Sequence, residues 1–314
     1  MSIEDGLIPV TNIPPPYFGD HDTQEDPIKP IVDFVNQVDS VYQGLGIPTL
    51  YGVLSIIANK SVLFIGPRGS GKTRLINLIP DLQDTFFSKW DTFTYSELSS
   101  FCKVVSDTRG RVRGKHLVFK VEDFSTFSKY HRQQFLTTAS KIISDGNYRH
   151  ITKSIHIDIE ACRLTMLIAI QPRIYSDLCS KYTEWDSLSY DRFTKFIILN
   201  PLRAGTSRAP CDPTLPRKIS DVIIDNYQDL DLSCLVELFS GHVSKGRAEL
   251  FALDYVQALV EFLGAERIQQ WHIQFFNHLF HPYLRSFSEL QSAEDLDSPI
   301  IVKASSLKLL SGIG

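Results

Sequence analysis

The stretch Ser61 to Ile76, SVLFIGPRGSGKTRLI, constrains this 314-residue chain more than any other. Val62 to Ile65 are consecutive apolar residues, a run of the length of one short buried strand. Gly66-Pro67-Arg68-Gly69-Ser70-Gly71-Lys72-Thr73 follows, and a helical pattern begins near Lys72. The loop satisfies G-x-x-x-x-G-K-[ST] at every fixed position, between the strand and the helix that this pattern requires. Glycines there let the backbone curl so that several N–H groups converge on one anion, and the helix N-terminus adds its positive end. Lys72 is then placed to reach β- and γ-phosphates, and Thr73 to offer a hydroxyl to Mg²⁺. Arg74, directly after the pattern, is counted with the binding residues. A glycine-rich turn matching by chance is the alternative, and the flanking elements weigh against it. The expectation is a site for a nucleoside triphosphate.

Composition narrows the setting. With 43% hydrophobic and 22% charged residues, the chain has the make-up of a globular protein long enough for an α/β domain and a smaller companion. No apolar run approaches the ~20 residues needed to span a membrane. The N-terminus MSIEDGLIPV lacks the basic and apolar regions of a signal peptide. A net charge of −4 gives no global argument for nucleic acid. The five cysteines (Cys102, Cys162, Cys179, Cys211, Cys234) are odd in number and widely spaced, which fits reduced thiols in a cytoplasmic protein.

Along the chain, residues 1–30 are rich in Pro, Asp and Gly and read as an extended arm. Ile31 to Gln43 has helical spacing, with Gly44 placed to end it. A second helix is expected from Pro48 to Asn59. Thr85 to Thr94 reads as a strand, Tyr95 to Val105 as a helix, His116 to Val121 as a strand and Phe127 to Ser144 as a helix. Ser154 to Glu160, Leu164 to Ile170 and Phe196 to Leu199 complete the strands. Strands alternating with helices imply an α/β fold of the P-loop NTPase kind, a mostly parallel sheet with helices on both faces. This core is expected over residues 31–200. A linker follows at 201–216, then a small all-α lid domain at 217–290, and a tail at 291–314.

Other residues carry chemistry. Glu122-Asp123 end the strand HLVFKV, suiting one acid for a metal ion and one for polarising an attacking water. Gln171 ends the apolar strand Leu164 to Ile170, where open α/β sheets bind ligands. Tyr190-Asp191-Arg192-Phe193 precedes the last strand, and Ser244-Lys245-Gly246-Arg247 opens a helix of the second domain. The loop Arg109, Arg111, Arg113, Lys115 concentrates positive charge. It reads as a solvated loop, or as a contact to phosphate backbones or an acidic partner. His278 and His281 are expected on a packed helix face closed by Pro282, not at a metal.

In this order the motifs resemble the AAA+ family of ring-forming ATPases, over about Ile47 to Gly264. The resemblance makes GPRGSGKT Walker A and VFKVED Walker B. It puts Gln171 at sensor 1, Arg192 at the arginine finger and Arg247 at sensor 2, touching the nucleotide of its own chain. The segment Ser154 to Glu160 resembles the hairpin inserted in MoxR- and MCM-like members. ATP and Mg²⁺ are the implied cofactors, with Thr73 and Glu122 on the metal and Asp123 on the water. An arginine finger implies a ring of like or unlike subunits, typically a hexamer, acting on a protein substrate or complex. Most members end Walker B with Asp-Glu. The order Glu122-Asp123, and Gln in place of the commoner Asn at sensor 1, imply slow hydrolysis or a nucleotide-gated switch. A DNA-engaged ATPase reached through the Arg109–Lys115 loop, and a nucleotide-locked scaffold, are the alternatives.

Overall fold

A run such as VLFI, apolar at every position, is stable as a strand only where both faces are covered. β2 (Ser61–Ile65) is buried throughout. It pairs in parallel with β8 (Arg163–Ile170) on one side and β9 (Phe193–Ile197) on the other. β5 (His116–Val121) lies beyond β8, and β3 (Thr85–Trp90) forms the edge, giving a five-stranded parallel sheet in the order β3-β5-β8-β2-β9. This computed structural model describes residues 27–107, 110–181, 185, 191–198, 203–204 and 230–291.

Side chains alternate across the sheet. Val62 and Phe64 face an apolar cluster with helices α1 (Lys29–Asp39) and α2 (Gly46–Ile57). Leu63 and Ile65 face a second cluster, with α4 (Tyr95–Val105), α5 (Lys129–Asp145) and α6 (Pro172–Lys181), the last following β8. α3 (Lys72–Leu78) follows the Gly66–Thr73 loop. After the 191–198 segment come α7 (Ser233–Ser240), α8 (Lys245–Leu263) and α9 (Gln270–Gln291), whose buried side chains join the first cluster. The fold is α/β, with a parallel central sheet covered on both faces and further helices C-terminal to it in the chain. No helix among the described residues is long and apolar enough to cross a membrane.

Several elements differ from the reading of the sequence for definable reasons. The strand expected to reach Thr94 stops at Trp90, because Thr94 caps α4. Its Oγ1 accepts from the Glu97 N–H (3.2 Å), and Glu97 Oε2 accepts from the Thr94 N–H (3.1 Å). The last strand starts at Phe193 instead of Phe196, because two polar side chains are accommodated in its buried middle. Thr194 Oγ1 bonds the Tyr255 hydroxyl (3.1 Å), and Lys195 Nζ donates to the His242 carbonyl. The first helix ends at Asp39, not Gln43. Asp39 Oδ1 accepts from the N–H groups of Gly44 (3.1 Å) and Gly46 (2.7 Å), and Tyr42–Gln43 form β1 against β10 (Arg203–Ala204). Pro282 does not close its helix; α9 runs through it to Gln291. Proline removes one backbone donor from the ladder. Phe280, Leu284 and Phe287 stay buried on either side of it, and Tyr283 stacks on Phe196 of β9 at 4.8 Å. Beside the sheet, β6 (Tyr148–Ile151) and β7 (His156–Glu160) form an antiparallel hairpin, with β4 (Val112–Arg113) parallel to β7.

The C-terminal helices are keyed to the sheet by hydroxyl groups as well as apolar contact. Tyr255 of α8 is fully buried, stacks on Tyr51 at 5.1 Å, and bonds Ser55 Oγ of α2 (3.0 Å) and Thr194 Oγ1 of β9. Tyr255→Phe leaves Thr194 without that partner in a dry site, so unfolding free energy should fall by about 1–2 kcal/mol. Urea denaturation of the two proteins measures it.

Candidate functional site

The C-terminal ends of β5, β8 and β2 are adjacent, and each carries one polar group singled out by sequence. β2 runs into Gly66, whose N–H donates to the Ile170 carbonyl of β8 (3.2 Å). The loop then turns through Gly69 and Gly71 at φ +79° and +84°, a region in which a Cβ is strained. At Gly66 the constraint is space, because a Cβ there would meet Ser70 Oγ at 2.6 Å and Ile198 Cβ at 3.2 Å. Ser70, itself buried, donates from Oγ to the Pro67 carbonyl (2.9 Å) and so holds the turn.

Lys72 is folded back into this loop. Its ammonium donates to the carbonyls of Gly66 (2.7 Å) and Pro67 (2.6 Å), and the residue is only 8% exposed. Burial lowers its pKa to about 8; Asp123 opposes that shift and Arg68 adds to it. The Asp123 carboxylate therefore acts on Lys72 from the end of the strand two places along the sheet. Asp123 also caps a short 3-10 turn, its Oδ1 accepting from the Ser125 N–H (2.9 Å) and hydroxyl (2.5 Å). β8 lies between the Asp123 and Lys72 strands, so Gln171 stands at its end between the two groups. Its carbonyl accepts from the Tyr175 N–H (2.9 Å) as α6 begins.

Glu122 does not join this group. It forms an ion pair with Lys89 of β3, on the far side of β5 from the loop. Of the two acids, Asp123 is the one whose charge acts on Lys72, while Glu122 is engaged by Lys89. The cause is strand alternation, which turns neighbouring residues to opposite sides. Arg68 and Thr73 are exposed, and Arg74 lies over the Tyr42 ring at 5.7 Å.

Arg192 and Arg247 lie at the opposite end of the sheet. Ser61 is level with Phe193, so Arg192 is level with Lys60, about 20 Å of strand from the start of the loop. It donates to Ser144 Oγ at the end of α5 (3.2 Å). Arg247 donates to the Asp191 carbonyl (3.1 Å), which fixes it beside Arg192. Arg247 was expected to touch the nucleotide of its own chain. It is too far from the loop to do so, because α8 begins beside the N-terminal ends of the strands.

The basic loop is largely neutralised within the chain. Arg111 pairs with Asp158 (3.0 Å) and Glu160 (2.9 Å), Arg113 approaches Glu160 (3.6 Å), and Lys115 lies over Phe86 at 4.9 Å. Arg109 lies outside the described residues, as do residues 205–229, which include most of the proposed linker, most of the N-terminal arm and nearly all of the tail. Sequence reasoning missed Lys89, whose significance depends on a neighbour distant in the chain.

The pKa of Lys72 gives a pH prediction. An ammonium is needed to meet phosphate, and its folded pKa is lowered toward 8 from 10.5. Anion binding must return a proton to it above that value. Affinity for a nucleotide analogue should be flat below pH 8 and fall about tenfold per pH unit above it. Titrations at pH 7, 8 and 9 check this. The same depression means that keeping Lys72 charged opposes folding below pH 8, a cost relieved as pH rises toward the unfolded value.

Among the described residues, no group of three or more His, Cys, Asp or Glu side chains could hold a metal by itself. Thr73 and Asp123 could supply two ligands, the number usual for Mg²⁺ shared with a phosphate chain. No protein-family model matches the sequence, and a comparison with curated proteins finds no match.

Proposed function

We propose that this chain binds Mg·ATP in the Gly66–Thr73 loop and hydrolyses it slowly, as an AAA+ type ATPase that assembles with neighbouring copies or related subunits. One observation carries the reading. Lys72, Gln171 and Asp123 are far apart in sequence and stand at the ends of β2, β8 and β5, which are consecutive in the sheet. Lys72 and the loop N–H groups would hold the phosphates. Thr73 and Asp123 would hold Mg²⁺, which when bound neutralises charge on the phosphate oxygens. Gln171 would orient the water beside Asp123.

The position of Arg192 supports the ring. An arginine so far from its own loop can serve a γ-phosphate only on a neighbour, and Arg247 beside it faces the same way. The pairing of Glu122 with Lys89 favours weak hydrolysis, since one acid remains at the loop; this sustains the nucleotide-locked scaffold as the second reading. The neutralised Arg111 and Arg113 remove the main support for a DNA-engaged ATPase.

The test is equilibrium binding of a fluorescent ATP analogue, with phosphate release followed in parallel. Micromolar binding with slow Mg²⁺-dependent release is expected. No binding in either the presence or absence of Mg²⁺ overturns the reading. Binding without release selects the scaffold.

A further inference from the structure

The segment that follows Asp123 is anchored by aromatic rings. Phe124 and Phe127 are buried with their centroids 5.1 Å apart, and Phe124 stacks on Trp185 at 5.3 Å. The 3-10 turn Phe124–Thr126 cannot shift without disturbing those contacts. Ser125 sits on this turn and reaches back to Asp123. Its N–H (2.9 Å) and its hydroxyl (2.5 Å) both donate to Oδ1 of the Asp123 carboxylate. Its carbonyl accepts from Nη2 of Arg132 (2.7 Å), in the first turn of α5, whose Nε is buried without an acceptor. Ser125 is therefore fixed on one side by packed rings and on the other by a guanidinium group.

A carboxylate has about four lone-pair directions, two on each oxygen. The two donors of Ser125 fill both directions at Oδ1. Among the described residues, no donor reaches Oδ2. Asp123 thus presents one oxygen, not two, to whatever binds at the end of β5. That difference discriminates between cations. Ca²⁺ is readily held by both oxygens of one carboxylate, in loose geometry and with many ligands. Mg²⁺ is smaller, demands a near-octahedral shell, and is held by single oxygens of one or two carboxylates together with phosphate.

We propose that Ser125 is a specificity-determining residue of the nucleotide site: by holding Oδ1 it limits Asp123 to ligation through Oδ2, and so favours Mg²⁺ over Ca²⁺ beside the phosphates. The proposal rests on the nucleotide reading above and adds the choice of cation to it. Ser125 is a positioning residue, since it acts through Asp123 and not on the phosphates.

The experiment measures the affinity of the full-length chain for a fluorescent, non-hydrolysable ATP analogue in EDTA, in Mg²⁺ and in Ca²⁺. Wild type is compared with Ser125→Ala and Ser125→Thr. Alanine keeps the N–H and loses the hydroxyl, which reopens one acceptor direction at Oδ1. Wild type should bind about tenfold or more tightly with Mg²⁺ than with Ca²⁺. In Ser125→Ala that ratio should shrink about tenfold while binding in EDTA is unchanged, and Ser125→Thr should restore it. Should a thermal melt show Ser125→Ala unfolded, Ser125→Cys, with a weak thiol donor, is held to the same criterion. A ratio equal in wild type and variant overturns the proposal, as does a wild type without preference for Mg²⁺. Weakening by one common factor in all three solutions marks a purely structural role and also overturns it. Wild type that binds the analogue in none of the three overturns the nucleotide reading itself, and this proposal with it.

Discussion

Lys72→Ala should lower affinity for a fluorescent ATP analogue by about 10²-fold or more, the loss of two or so charge-assisted hydrogen bonds to phosphate. No other group can substitute. Arg68 is exposed on the outer turn of the loop, and Arg74 is engaged with Tyr42. Lys72 already donates to two carbonyls in the absence of any ligand, so binding exchanges those acceptors for phosphate oxygens instead of recruiting a mobile side chain. The variant should keep its fold, since the loop is also held by Ser70 and by the Gly66 N–H on Ile170. A thermal melt run beside the binding titration separates the two effects. Affinity equal to wild type in a folded variant would remove the loop from nucleotide binding.

The second large effect concerns Arg192. Arg192→Ala should leave nucleotide affinity nearly intact and depress hydrolysis by roughly 10³-fold or more, the scale of an arginine supplied from a neighbouring subunit. Asp123→Asn should also bind without hydrolysing, because the acid at the loop is gone. The two side chains occupy opposite ends of the sheet and, in an assembly, opposite sides of one junction. Mixing the two inactive proteins creates some junctions in which intact Asp123 faces intact Arg192. Activity should partly return on mixing, measured as phosphate release after subunit exchange. Arg192→Ala protein as active as wild type would separate this arginine from catalysis.

The sequence was most legible where local chemistry settles structure alone. Continuous apolar runs marked β2 and β8, and the helix read over Tyr95 to Val105 is α4 with the same bounds. It was least legible where a polar residue is buried through a distant partner. Thr194 and Lys195 look unsuited to a central strand until Tyr255 and His242 are brought to them. The same limit applied to the candidate site. Lys72, Asp123 and Gln171 could be read from strand ends, but the turn of Glu122 toward Lys89 depends on which strand lies next to β5. Arg247 could be identified as an arginine opening a helix, whereas the end of the sheet it reaches is set by the packing of α8 against α2 and β9.

The way α7, α8 and α9 share their core with α1, α2 and β2 bears on mechanics. Val62 and Phe64 contribute to that core from one side of β2, while Leu63 and Ile65 contribute to the other core from the opposite side. Pulling the C-terminal helices away would therefore strip apolar surface from a strand that both cores need. Such a body melts cooperatively and does not shed its last helices first. It also leaves little room for a hinge between helices and sheet. A stroke driven by nucleotide would have to be a rotation of one whole protomer against the next, with the protomer itself acting as a stiff lever.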